Sequence, residues 1–226
     1  MYYLSTILTM IIIYGFSAMG MTEKEQKTLA FYDKEAEKFM TSSTKDNTPS
    51  FWDAELKEFN KLLPCGRILD IGAGKGREAR FFIEAGYDYV GCEPAEKMRV
   101  ALENTFPNHE FIKETIYDWH LPPESYDGFW CSAMLLHIPP QNLEFVLQAI
   151  KAPMKCGAIG FISLAEGDGE YFDADTGRYF YLYNQTEFTK ILERNGFIIK
   201  KHVTRIQDTH RTWLRQWLVY YCQVIK

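Results

Sequence analysis

Strands and helices that alternate along the chain predict an α/β protein with a doubly wound sheet, mostly parallel and ending in an antiparallel strand. Three observations carry this prediction. Short apolar runs of strand length alternate with segments of helical periodicity from residue 23 onward. A glycine-rich turn follows the first of these runs and opens a helix. The last two runs, Phe197–Ile206 and Trp213–Ile225, are joined by a polar turn with no helix between them, and such a connection makes the pair antiparallel.

Taken in order, Leu29, Tyr32, Ala36, Phe39 and Met40 share one face of a helix, and Trp52, Leu56, Phe59 and Leu63 share a face of the next. Arg67–Ile71 is the first strand, and the helix after its turn turns Ala79, Phe82 and Ile83 inward and stops at Gly86. Tyr89–Glu93 is the second strand, followed by a helix with Met98, Leu102 and Phe106 inward. Glu110–Thr115 and Tyr126–Ser132 are strands three and four, separated by a loop with Pro122 and Pro123. Leu143, Val146, Leu147 and Ile150 mark a helix, Ala158–Leu164 a fifth, buried strand, and Phe188, Ile191 and Leu192 a helix closed by Gly196. With the final pair this makes seven strands.

Of 226 residues 46% are hydrophobic, and 16 Phe, 14 Tyr and 5 Trp carry too much apolar surface for a disordered chain. A net charge of −5 argues against affinity built on neutralising phosphates, so no nucleic-acid partner is expected. The scattered cysteines Cys65, Cys92, Cys131, Cys156 and Cys222 include no Cys-x-x-Cys pair and read as reduced, buried thiols of a cytoplasmic protein; no metal-ligand spacing occurs.

Residues 1–22 contain no charged side chain. They divide the chain into an apolar segment, 1–20, and a domain, 21–226. Three readings fit the segment: an upstream start with Met21 opening the protein, a membrane anchor that would keep the domain on the cytoplasmic side, or a helix packed on the domain.

The chemistry lies in Ile68–Arg80, ILDIGAGKGREAR. A strand runs through Asp70, and Gly72, Gly74 and Gly76 follow at alternate positions before a helix whose free N–H groups suit an anion such as a carboxylate. About twenty residues on, Glu93 ends the second strand, where a carboxylate can accept from both hydroxyls of a ribose. Dinucleotide sites want a third glycine three residues after the second, the position that Arg77 occupies here. An acid two residues before the first glycine suits instead a cofactor with a cationic amino-acid end.

These residues resemble the class I S-adenosylmethionine-dependent methyltransferases, a Rossmann-like family whose first motif is an acid followed by x-Gly-x-Gly-x-Gly. The likeness extends to SYDGFWCSAMLLHIPP and APMKCGAIGFISLAEG as the fourth and fifth strand regions, covers about residues 29–205, and is greatest to the small-molecule methyltransferases. It implies S-adenosyl-L-methionine as cofactor, its methionine end over Gly72 and Gly74 near Asp70 and Tyr32. It implies that Glu93 holds the ribose beside Pro94, and that adenine lies near Met98, Thr115 and Ile116. Thr115 stands where relatives often have an acid, which leaves adenine to backbone groups or Asp118.

His137, after strand four, is the candidate general base, read against a packing histidine beside Leu135 and Leu136. The segment Glu166–Asn184 is read as a loop that either walls the acceptor site with Tyr171, Phe172, Tyr179 and Tyr181 or fastens itself to the domain with those rings. Arg211, Trp213, Arg215 and Trp217 are read as one partly solvated sheet face. The Asn/Asp-Pro-Pro-aromatic motif of nucleic-acid base methylation is missing at Cys131–Ala133. The expected function is methyl transfer to a small-molecule acceptor. The alternatives are a non-catalytic S-adenosylmethionine-binding regulatory module and an NAD(P)-linked oxidoreductase.

Overall fold

Apolar runs buried on both faces suit interior strands of a sheet whose two sides are covered by helices, most often a parallel one. A computed structural model describes residues 20–41, 51–206 and 216–226. In it β1 (Arg67–Ile71), β2 (Asp88–Cys92), β3 (Glu110–Ile112), β4 (Tyr126–Ser132) and β5 (Met154–Ala165) are parallel neighbours in the order β3-β2-β1-β4-β5. The sheet continues through β9 (Gln216–Val224) to β8 (Phe197–Ile206). The β9 strand is antiparallel to both β5 and β8. The seven-strand, Rossmann-like sheet with an antiparallel last strand is therefore the fold.

The helices are α1 (Glu23–Lys34), α2 (Ala36–Thr41), α3 (Asp53–Leu62), α4 (Arg77–Glu84), α5 (Glu96–Thr105), α6 (Pro140–Lys151) and α7 (Gln185–Arg194). Phe59 of α3 and Phe82 of α4 pack edge-on against each other and against Trp130 of β4, which stacks on Phe161 of β5 with ring centroids 3.5 Å apart. All four side chains are fully buried.

Several elements differ from the sequence reading. β5 starts at Met154 rather than Ala158, and β3 stops at Ile112, which leaves Thr115 in the following turn. Glu166–Asn184 is not a loop but contains an antiparallel hairpin, β6 (Gly169–Phe172) with β7 (Tyr179–Leu182). The first helix breaks at Glu35, but Leu29, Tyr32, Ala36 and Phe39 still pack as one apolar face against Ala95 and Met98; the fully buried residues of α1 are the polar Glu25 and Thr28. Trp217 is buried and packs edge-on against Trp52, so its sheet face is covered rather than partly solvated. Cys65 and Cys156 are exposed, unlike the other three cysteines. Residues 1–19, Arg211, Trp213 and Arg215 lie outside the described residues. Among the described residues no helix is long and apolar enough to cross a membrane.

Candidate active site

The turn after β1 needs glycine for two different reasons. Gly72 and Gly74 have φ of 78° and 57°, in the left-handed region that side chains resist. The backbone N–H groups of Gly72 and Ala73 both donate to the Cys92 carbonyl, 2.9 and 3.0 Å away, and tie the turn to the end of β2. At Gly76 the constraint is also packing, since a Cβ would lie 2.6 Å from Leu102 and 2.9 Å from Phe106 of the α5 region. The third glycine thus seats α4 against α5, while the first two keep the cavity floor low.

Glu93 leaves β2 directly beside this turn. Its two carboxylate oxygens accept from the N–H groups of Gly74 and Ala95, each at 2.9 Å. Only 6% of the residue is exposed. Burial pushes its carboxyl up to about 7, against the pull of those two N–H groups. Each oxygen keeps a lone pair for a further donor.

A cavity of about 330 Å³ opens over the turn. Tyr32, Gly72, Gly74, Glu93, Pro94, Met98, Thr115, Ile116 and His137 all border it. Asp70 borders instead a neighbouring cavity of about 200 Å³. The two cavities share Gly72, Gly74, Lys75, Arg77, Ser132 and Ala133. Asp70 is buried, accepts from the Tyr89 hydroxyl at 2.8 Å, and is pushed up to about 8 by burial and, secondarily, by the nearby Glu78. Thr115 donates to exposed Asp118 at 2.6 Å, so that acid is engaged by the residue it was expected to replace.

Polar residues that sequence reasoning missed form the roof. Glu25 accepts from the Tyr117 hydroxyl and, at 3.1 Å, from the Asn142 amide. The Tyr117 ring lies parallel to Phe145, and burial together with Glu25 pushes its hydroxyl pKa far up. On the other side, His137 Nδ1 lies 2.7 Å from the Tyr179 carbonyl; a carbonyl only accepts, so Nδ1 carries the ring proton. Nε2 is then the acceptor for the Tyr32 hydroxyl at 3.0 Å, and the Tyr32 oxygen accepts from Arg178 at 2.8 Å. Burial, and to a lesser degree the Arg178 cation, hold His137 down to about 4, so the ring is neutral near pH 7. Asp173, itself buried, pairs with Arg178 at 3.4 Å.

None of Tyr171, Phe172, Tyr179 and Tyr181 borders either cavity. The hairpin reaches the site through Arg178 and the Tyr179 carbonyl, while Tyr179 N–H donates to Thr28 at 3.0 Å and Glu170 pairs with Lys24 at 2.6 Å. Its aromatic rings fasten it to the domain. The capping box of Thr22 and Glu25 was the one local signal for the roof, since it places Glu25 in the first turn of α1.

Residues 68–157 match the family model of the methyltransferase domain. The chain is 23% identical over 149 residues to a probable S-adenosyl-L-methionine-dependent methyltransferase, TehB, of Haemophilus influenzae. That match covers 65% of this chain and 51% of TehB, so the chain spans about half the length of the curated relative it matches. The structure resembles the Burkholderia thailandensis 1,6-didemethyltoxoflavin-N1-methyltransferase, solved with S-adenosylhomocysteine, at a TM-score of 0.72 and 16% identity, over 92% of this chain and 93% of that one. It resembles the [4+2]-cyclase SpnF at a TM-score of 0.65 and 14% identity, over 89% and 96% of the two chains. At such identities the likeness speaks to the fold alone, and the second neighbour carries a different chemistry on it.

Proposed function

We propose that this chain, a class I S-adenosylmethionine-dependent methyltransferase by domain and fold, transfers the cofactor's methyl group to a small-molecule acceptor. The observation that carries the reading is Glu93, a buried carboxylate at the end of β2, anchored by two N–H groups and bordering the cavity beside a left-handed glycine turn. A pair of free lone pairs on fixed oxygens fits a vicinal diol, and Met98 and Ile116 give apolar surface for a flat base. Arg77 at the dinucleotide-glycine position disfavours a nicotinamide cofactor, whose pyrophosphate needs close backbone approach.

In this reading Glu93 and Pro94 hold the ribose, Met98, Thr115 and Ile116 flank the adenine, and Gly72, Gly74, Asp70 and Tyr32 surround the amino-acid end. When bound, S-adenosylmethionine supplies an electrophilic sulfonium methyl, delivered by in-line displacement with S-adenosylhomocysteine as product. The chain's part is to align the acceptor in a largely apolar pocket from which α1 and Tyr117 exclude water. Where the acceptor loses a proton, it passes to the Tyr32 oxygen as the Tyr32 proton moves to His137 Nε2, the ring nitrogen that carries no proton and already accepts from that hydroxyl. The assignment of Met21 to the domain is supported by its place at the cavity and by the Gly20 carbonyl, which accepts from Asn142 at 3.3 Å. Five unpaired cysteines suit a reducing compartment such as the cytoplasm.

Calorimetric titration of the full chain with S-adenosylmethionine, S-adenosylhomocysteine and NADH tests the reading. Binding of the first two and not the third is expected; NADH binding alone would overturn it. Cofactor binding with no methyl transfer to any component of a metabolite extract would favour the regulatory module.

A further inference from the structure

In the register of β1 with β2, Ile68 faces Tyr89 and Asp70 faces Gly91. Paired positions on neighbouring strands point to the same side of a sheet, so these four residues share one face. Gly91 lies inside β2 without a left-handed φ, so a close approach rather than a turn explains its lack of a side chain. A Cβ there would lie 2.7 Å from the Phe111 ring and 3.0 Å from the Tyr89 oxygen. The gap lets the Tyr89 hydroxyl reach diagonally across Gly91 and donate to Asp70 at 2.8 Å, in a buried contact. Phe82 lies nearly parallel to the Tyr89 ring, while His109 and Phe111 meet it edge-on, and together they set where the hydroxyl points. Tyr89 itself borders neither cavity.

We infer that Tyr89 is a positioning residue for cofactor binding: across the gap at Gly91 its hydroxyl holds the Asp70 carboxyl in place and favours its ionised form, the one that attracts a cationic ligand. The inference rests on the methyltransferase reading, in which Asp70 lies at the cofactor's amino-acid end, and adds to it a residue that touches no ligand. The other groups facing Asp70 oppose its charge. Burial pushes the carboxyl up most, followed by the acid Glu78 of α4, with Glu93 beyond β2 adding to both. Cys92 of β2 and Cys131 of β4 are thiols that burial holds protonated, so they bring no compensating charge. Against these, the Tyr89 hydroxyl is the group that pulls the Asp70 carboxyl down.

The test measures two probes on the full chain at pH 7 and pH 9, S-adenosylhomocysteine and 5′-methylthioadenosine, which lacks the amino-acid end. Tyr89→Phe keeps the ring and removes only the hydroxyl. Losing that hydrogen bond leaves Asp70 protonated to higher pH, so S-adenosylhomocysteine should bind roughly 10-fold or more weakly than to the parent at pH 7, and this deficit should shrink about fivefold by pH 9. Taking the ratio to the parent at each pH cancels the ligand's own titration. 5′-Methylthioadenosine should stay within about twofold at both pH values, which also reports that the variant is folded. In Asp70→Asn, where no charge is left to favour, adding Tyr89→Phe should change S-adenosylhomocysteine binding by less than about twofold. A deficit equal at the two pH values, or shared by both probes, would overturn the inference, because Tyr89 would then only support the sheet; so would unchanged S-adenosylhomocysteine binding or full additivity with Asp70→Asn. If the unaltered chain bound neither probe, the methyltransferase reading itself would fail and take this inference with it.

Discussion

Glu93 and Asp70 are carboxyls that burial pushes up to about 7 and about 8, and both should therefore report on pH and on ligand. A carboxyl whose folded pKa is raised stabilises the fold below its unfolded pKa and loses that contribution as pH rises through the folded value. His137, held down to about 4, works in the opposite sense and only below pH 6.5, where the unfolded chain takes up its proton. Between about pH 6.5 and 8 the carboxyls act without it, so denaturant unfolding of the ligand-free chain should show falling stability across that window. A flat or rising profile would contradict the assignment. A cationic cofactor favours the ionised carboxylates, so titrations in buffers of different ionisation heat should show proton release on binding near pH 7. Glu93→Gln keeps one accepting oxygen and the local shape; it should weaken S-adenosylhomocysteine binding by about 10-fold or more, as expected for loss of charged hydrogen bonds.

At the scale of elements, the β6–β7 hairpin and α1 hold each other through Arg178, Glu170 and the Tyr179 backbone. Arg178→Met would leave Asp173 buried without its cation and the Tyr32 oxygen without its donor. A cost of about 3 kcal/mol follows from breaking a buried pair on one side, readable by urea unfolding, with part recovered in the double variant that adds Asp173→Asn. An Arg178→Met chain as stable as its parent would mean that the hairpin is held by its rings alone. Beneath the sheet, Phe82 touches Phe59, Tyr87, Tyr89 and Trp130, and Phe82→Ala should cost about 3–5 kcal/mol in the same measurement. The hairpin is hard to read locally because its strands are four residues each and its turn is masked by an acidic, glycine-containing composition. The α4 helix is easy to read, since Gly76 starts it, Gly86 follows it and its apolar face has a clear 3.6-residue period.

Over the whole molecule, a ligand that binds only the folded chain raises its melting temperature by mass action. At 100 times its Kd, S-adenosylhomocysteine should raise Tm by about 5–10 °C for a chain of this size, and NADH should not; equal shifts with both would count against the proposed specificity. The sheet and the floor of the site were legible in the amino-acid order. Strand and helix periods, the dihedral demands of Gly72 and Gly74, and the placement of Glu93 one strand later are properties of a single βαβ unit, set by local sterics and short-range patterning. Asp70 was legible as an acid before the turn, but its place in the smaller cavity was not. The roof was decided only by tertiary structure: Tyr117 meets Glu25 across 92 residues, Tyr32 meets His137 across 105, and Arg178 meets Tyr32 across 146. Such pairs leave no local period or motif, because what brings them together is the burial of polar groups that must find partners wherever the packed chain offers them.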